Sequence, residues 1–179
     1  MGGSLGAVQI NSLVKENLEW IKERFFIVHQ TGKQWADELL PLKDDDYHPY
    51  PFIYNEMPDV MAAADVVLSR SGSNSLWECA VSKKPLILIP FSGSGTRGDQ
   101  VENAAFFEKY KAALVLGGKL ADGTPSKEAS SENLKEALMI LSEEAKRKEF
   151  SQNVEKLVGN VKPAEYIANL IYSEVAEKL

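Results

Sequence analysis

A chain of 179 residues, 44% hydrophobic and 26% charged, is long enough to bury a core and ordinary for a soluble globular protein. Its formal net charge of −6 excludes a protein whose main partner is nucleic acid, since that requires a net basic face, but does not exclude a nucleotide held by backbone amides. One cysteine, Cys79, excludes an intrachain disulfide; with no signal peptide and no apolar run near the roughly 18 residues of a membrane span, the expected location is cytoplasmic.

In chain order, Gly2-Gly3-Ser4-Leu5-Gly6-Ala7 leads into a helix expected over 7–23, with Ile10, Leu13, Val14, Leu18 and Ile21 at helical spacing. Phe25 to His29 is an apolar run that reads as a buried parallel strand. A short helix (34–40), a charged loop (43–49), a strand at Tyr50–Tyr54 and a helix at 56–63 with proline in its first turn follow. Asp65–Leu68 is a strand, Ser73–Ser82 a helix, Leu86–Phe91 a strand, Asp99–Lys111 a helix and Ala112–Leu116 a strand. Gly117–Ser126 is a loop, and three helices, about 131–141, 143–158 and 163–178, close the chain. This alternation is the pattern of an α/β protein, a Rossmann-like doubly wound parallel sheet with helices on both faces. Ligands in such sheets bind in the loops at the carboxyl ends of the strands. A glycine loop of this kind normally follows a strand, and here it begins at Gly2, so the first strand is missing and the chain is expected to be a fragment of a longer protein. The missing strand is the central one of a doubly wound order. The expectation is therefore that another segment or chain fills its slot, or that the fold is only marginally stable, because buried unpaired backbone groups cost about 1–3 kcal/mol each.

The chemistry-bearing residues cluster at strand ends. In GGSLGA, Gly3 and Gly6 let the backbone approach a ligand, the helix N-terminus offers amides to a diphosphate, and Ser4 adds a hydroxyl; a plain turn and N-cap fits as well. In SRSGSNSLWE, Ser71 or Ser73 can cap the helix, and Arg70 can meet a phosphate or pair with a surface carboxylate. Asn74, Ser75, Glu78 and Ser82 share one helix face. Glu78 can accept from two vicinal ribose hydroxyls, although a solvated glutamate would look the same. Cys79 reads as a core residue. In SGSGTRGDQVENA, Asp99 with Glu102 resembles a capping box, Gln100 can both donate to and accept from sugar hydroxyls, and Asn103 lies one turn further on. The glycine- and serine-rich stretch before them suits a mobile ligand cover or simple hinge flexibility. His29 and His48 form no metal cluster and no nucleophile–base pair, so neither a metal nor a general base is expected.

GGSLGA, FIYNEM followed by AAADVVLSRSGSNSLWE, and PF…GDQVENA, in this order and spacing, resemble the C-terminal half of the MurG glycosyltransferases. The resemblance covers nearly the whole chain and is weakest in the last 60 or so residues. It implies a two-domain GT-B fold whose C-terminal domain binds the donor nucleotide. It also implies transfer of N-acetylglucosamine from UDP-GlcNAc to lipid I, undecaprenyl-diphosphate-linked muramoyl-pentapeptide, giving lipid II with inversion, in peptidoglycan synthesis. By position, Gly3 and Ser4 would contact the diphosphate, and Ile53 would hold uracil through its backbone. Ser73, Asn74 and Ser75 would lie along the phosphates, near Arg70, and Glu78 would take both ribose hydroxyls. Asp99 and Gln100 would reach the sugar ring, with Asn103 supporting their loop. Some members carry Gln-Gln or His-Gln where this chain has Asp99-Gln100, which makes Gln100 the safer sugar contact. No cofactor is implied. The acceptor site, the candidate base and the patch facing the inner membrane would lie on an N-terminal domain outside this chain, so the fragment is expected to bind donor without transferring sugar. The competing expectations are a non-catalytic subunit of a split glycosyltransferase, which should carry its own first strand, and a UDP-sugar epimerase. An NAD-dependent dehydrogenase should end its second strand in an acidic residue, where this chain has His29-Gln30.

Overall fold

The computed structural model describes residues 7–93, 97–159 and 163–176. Five short strands, all parallel where they pair, alternate with helices, as the sequence pattern requires. They are β1 (Ile27–Gln30), β2 (Tyr47–Tyr50), β3 (Val67–Ser69), β4 (Leu86–Leu88) and β5 (Ala113–Val115). The connecting and closing helices include α1 (Val8–Glu16), α2 (Leu18–Lys22), α3 (Ala36–Leu39), α4 (Met57–Ala63), α5 (Ser73–Val81), α6 (Asp99–Lys109), α7 (Ser131–Ser142), α8 (Glu144–Val158) and α9 (Pro163–Ala176).

The strands keep the parallel α/β arrangement expected and stand in two groups. They form a pair, β1-β2, and a triplet, β3-β4-β5, and among the described residues no strand joins β1 to β3. Residues 1–6, with the GGSLG loop, lie outside the described residues. The two groups share a core nonetheless. Ile10, Leu13 and Val14 of α1 pack in one cluster with Tyr47 of β2, Ile87 of β4, Ile89 beyond it and Leu134 and Leu141 of α7. On the opposite face, Leu86 and Leu88 of β4 meet Leu76, Cys79 and Ala80 of α5, Ala104 and Phe107 of α6, and Val154 of α8. Successive side chains of a strand point to opposite faces, so the uninterrupted apolar run Leu86–Ile89 feeds two cores at once, and all four residues are fully buried. Burial pushes the Cys79 thiol up to about 11, which suits the apolar packing role expected of it.

β3 is Val67–Ser69 rather than Asp65–Leu68, β4 stops at Leu88 rather than Phe91, and three further boundaries differ for reasons the hydrogen bonds and packing show. The helix expected over 7–23 breaks at Asn17, whose buried side-chain amide donates to Leu13 O at 2.7 Å and to Ser131 Oγ at 2.8 Å. A side chain that bonds the backbone in this way competes with helix continuation. The strand expected from Phe25 begins at Ile27, because the Phe25 N–H still donates to Ile21 O of the preceding turn. The strand expected at Tyr50–Tyr54 lies earlier, as β2, and ends where the aromatic stretch begins; Phe52 and Tyr54 stack on each other in the following loop at 4.5 Å. Asp46 O and Tyr50 O face β1, accepting from Ile27 and Thr31. Pro49, of the other parity, therefore turns its donorless nitrogen outward, where an edge strand tolerates proline.

Candidate functional site

The carboxyl ends of the strands carry loops that are tied together by side chains reaching a neighbour's backbone. At the end of β1, buried Gln30 accepts from the Ile53 N–H at 3.1 Å, joining the loops after β1 and β2. At the end of β3, Arg70 Nη1 donates to Ile89 O (2.9 Å) and Pro90 O (3.2 Å) beyond β4, and to Gln9 Oε1 of α1 (3.0 Å). Its guanidinium lies 5.6 Å over the Phe91 ring. The hydroxyl of Ser71 donates to Gln100 O at 2.6 Å, and Asn103 Nδ2 donates to Ser71 O at 2.9 Å. Gln100 Oε1 accepts from the Phe91 N–H at 3.1 Å. These bonds hold the mouths of α5 and α6 against each other and against the end of β4.

Both helix mouths lack the side-chain caps expected for them. Gly72, not a serine, is the N-cap of α5; Ser71 is spent on α6, and Ser73 is the first helical residue. For α6 the N-cap is Gly98, with φ +83°, a conformation only glycine adopts cheaply, and Asp99 makes no capping bond. The first N–H groups of a helix have no intrahelical partner and carry the positive end of its dipole. An uncapped mouth is therefore an anion site in waiting. Arg70 reinforces it: half-buried, with its pKa lowered by burial, it has no carboxylate partner among the described residues. Its charge is thus not neutralised by a neighbouring side chain.

Of the residues singled out from sequence, Ser73, Asn74, Ser75 and Glu78 lie on α5 and Asp99, Gln100 and Asn103 on α6, while Ile53 lies in the loop after β2. Asn74 and Glu78 are exposed on α5, and the Glu78 carboxylate has no ion pair or hydrogen bond among the described residues. Ser73 is exposed and sits 3.4 Å from Asn103 Nδ2, while Ser75 is half-buried. Asp99 is exposed at the start of α6. Gln100 overhangs α5: a methyl placed on Gly72 would lie 3.9 Å from its Nε2. Since Oε1 is taken by Phe91, Gln100 faces the mouth with donors rather than acceptors. Ile53 is buried, and with its N–H given to Gln30 the group it can offer a base is its carbonyl. Asn103 spends its amide within the protein. Gly3 and Ser4 lie outside the described residues.

Sequence reasoning missed Gln30 and the cross-loop role of Ser71. The available signal was a polar residue directly after an apolar strand, a position that looks exposed in one dimension. Neither histidine can serve this site as a base. His29 is sealed between Tyr47 Oη (2.9 Å) and Asn11 Oδ1 (3.0 Å), and burial pushes its pKa down to about 3. The His48 ring donates to Asp45 O. No group of acidic, histidine or cysteine side chains among the described residues can hold a metal, and no described helix is long and apolar enough to cross a membrane. Two open clefts, of about 460 Å³ beside Trp20 and Lys135 and about 430 Å³ beside Phe106 and Tyr110, lie apart from these loops.

Residues 1–162 match the glycosyltransferase family 28 C-terminal domain. The chain belongs to that family. Two relatives, from Treponema denticola and Bacillus cereus, both carry the name UDP-N-acetylglucosamine–N-acetylmuramyl-(pentapeptide) pyrophosphoryl-undecaprenol N-acetylglucosamine transferase. The first is 41% identical over 129 residues, 66% of this chain and 33% of the relative. The second is 44% identical over 116 residues, 65% of this chain and 33% of the relative. The matched segment thus spans about a third of the length of these family 28 relatives. The solved structure of MurG from Acinetobacter baumannii superposes with a TM-score of 0.71 at 20% identity, over 97% of this chain and 50% of that one, which establishes the shared fold.

Proposed function

We propose that this chain is the donor-binding domain of a two-domain, inverting N-acetylglucosamine transferase. It takes UDP-GlcNAc, and the whole enzyme passes the sugar to lipid I at the cytoplasmic face of the membrane. The observation that carries the reading is the mouth of α5, which has no side-chain cap, flanked by Arg70 and followed by Glu78, neither of which has an ion-pair partner among the described residues. A cation at the end of β3, the N–H groups of the helix mouth and a vicinal-diol acceptor on the same helix then follow one another along the chain, as a nucleoside diphosphate requires. Beyond them, the Gln100 amide and Asp99 stand where a sugar on the diphosphate would extend, and the Ile53 carbonyl can receive the N–H of a uracil. The acceptor and the membrane surface belong to the other half of the enzyme. With the acceptor held by that other half, the domain alone binds donor and does not transfer it.

Calorimetric titration of the chain with UDP-GlcNAc, UDP, GDP and NAD tests this. Uridine ligands are expected to bind preferentially. Glu78→Ala is expected to weaken them about ten- to a hundredfold, the worth of hydrogen bonds to a charged acceptor. Equal response to NAD would overturn the reading, and lipid II formation by the chain alone would overturn its dependence on a second domain.

A further inference from the structure

We infer that Ser71 is a positioning residue: buried between α5 and α6, it fixes the sugar-facing Gln100 against the diphosphate mouth of α5 without touching the ligand. The inference rests on the donor reading above for its ligand, though not for its geometry.

Ser71 is fully buried, so it has no surface to offer a substrate. Its hydrogen-bonding groups point instead at α6. The hydroxyl donates to Gln100 O at 2.6 Å and the carbonyl accepts from Asn103 Nδ2 at 2.9 Å. The same Asn103 amide lies 3.4 Å from Ser73 Oγ, so a second strut runs between the helices one residue along. Gln100, held by its backbone, then sets its own side chain by accepting from the Phe91 N–H. The chain of contacts therefore runs from the end of β3 through Ser71 to Gln100 and on to the start of the loop after β4. Nothing else in the described first turn of α6 reaches α5 through a hydrogen bond. Asp99 is exposed, and the Gly98 cap, with its positive φ, leaves the helix no side-chain anchor of its own. Beside the apolar packing of Leu76 and Ala80 on Ala104 and Phe107 deeper in the helices, one hydroxyl and one amide tie the mouth of α5 to the sugar contact on α6. Ser71 acts on the sugar half of the donor and leaves the nucleotide half alone, because its bonds go to Gln100 and Asn103 and none of them to Glu78 or Ile53.

The test uses the full chain with two variants. Ser71→Ala removes the donor, and Ser71→Cys fills the same space with a much weaker one, which keeps the packing. Two readouts are taken. In amide hydrogen exchange, the Phe91 N–H is expected to exchange at least about tenfold faster in both variants, with the amides of β4 unchanged. In calorimetry, affinity for UDP-GlcNAc is expected to fall about two- to tenfold, the worth of one hydrogen bond, while affinity for UDP holds. In a Gln100→Ala background, Ser71→Ala is expected to add nothing further, because both act through the same amide. An unchanged Phe91 exchange, an equal loss of UDP and UDP-GlcNAc, or additive effects of Ser71→Ala and Gln100→Ala overturns the positioning role. Should the unsubstituted chain bind neither ligand, the donor reading fails, and the exchange of Phe91 still decides the clamp.

Discussion

Strands β1 and β2 pair only with each other among the described residues, whereas β4 lies between β3 and β5 and buries both its faces. The difference shows in what fills each interior. β4 and the residue after it are aliphatic throughout, from Leu86 to Ile89, and fully buried. Around β1 the interior is a polar chain. The Tyr47 hydroxyl donates to His29 Nδ1, His29 Nε2 donates to Asn11 Oδ1, and Asn11 Nδ2 donates to Thr31 O. A triplet of strands has enough area to be held by apolar contact on both sides. A pair has less, and here it is fastened to α1 by hydrogen bonds with every partner satisfied. Burial acts on these groups in opposite directions, pushing the His29 pKa down to about 3 and the Tyr47 hydroxyl up to about 12, so both stay neutral.

The contrast can be probed at four places. The largest expected effect is Leu88→Ala in β4, which leaves a cavity among residues with nowhere to move: about 2–5 kcal/mol of stability lost in urea denaturation, with the transition still cooperative. Next is Asn11→Leu, which strands the His29 ring and the Thr31 carbonyl, at about 1–3 kcal/mol for each group left unpaired. The same half of the fold should carry the pH dependence. His29 binds a proton at a lower pH when folded than when unfolded. Between pH 6.5 and about 3 the unfolded state holds more protons, and stability falls as pH falls through that window. The slope from this one group approaches about 1.4 kcal/mol per pH unit and should vanish in His29→Gln, measured as denaturation midpoints across that range. A pH-independent difference between the two proteins would mean that the ring is charged in the fold. The smallest effect is expected at the surface: Lys83→Ala breaks an ion pair with Glu155 whose partners are both about half exposed, and should cost less than about 1 kcal/mol.

The carboxyl edge repeats the contrast at the level of loops. On the β1–β2 side Gln30 accepts from the Ile53 N–H and the Thr31 hydroxyl donates to Tyr50 O. On the β3–β5 side Arg70, Ser71, Gln100 and Asn103 tie the loops together. The functional residues visible from sequence were those whose meaning is local. Glu78 shares a face with Asn74 and Ser75 because a helix repeats every 3.6 residues, and that face is open in the structure. The caps were misjudged for a related reason. Ser71 and Asp99 have the right type and place to close helices, but Ser71 finds a better partner on α6, and Gly98 takes the turn before Asp99 can.

The sequence by itself determined the alternation of strand and helix, the apolar strand expected over Leu86–Phe91 and observed over Leu86–Leu88, and the crowding of polar residues at strand ends. Each follows from periodicity or from an apolar run within a few neighbouring residues. Only the tertiary structure decided where α1 stops, because Asn17 breaks the helix by bonding Ser131, 114 residues away. It alone divided the strands into a pair and a triplet, and it alone turned Gln30 and Ser71 from polar residues after strands into ties between loops. The partners in these bonds lie 23 and 29 residues off in the chain. A hydrogen bond across that separation leaves no period in the sequence, because only the packing of the strands brings its two ends together.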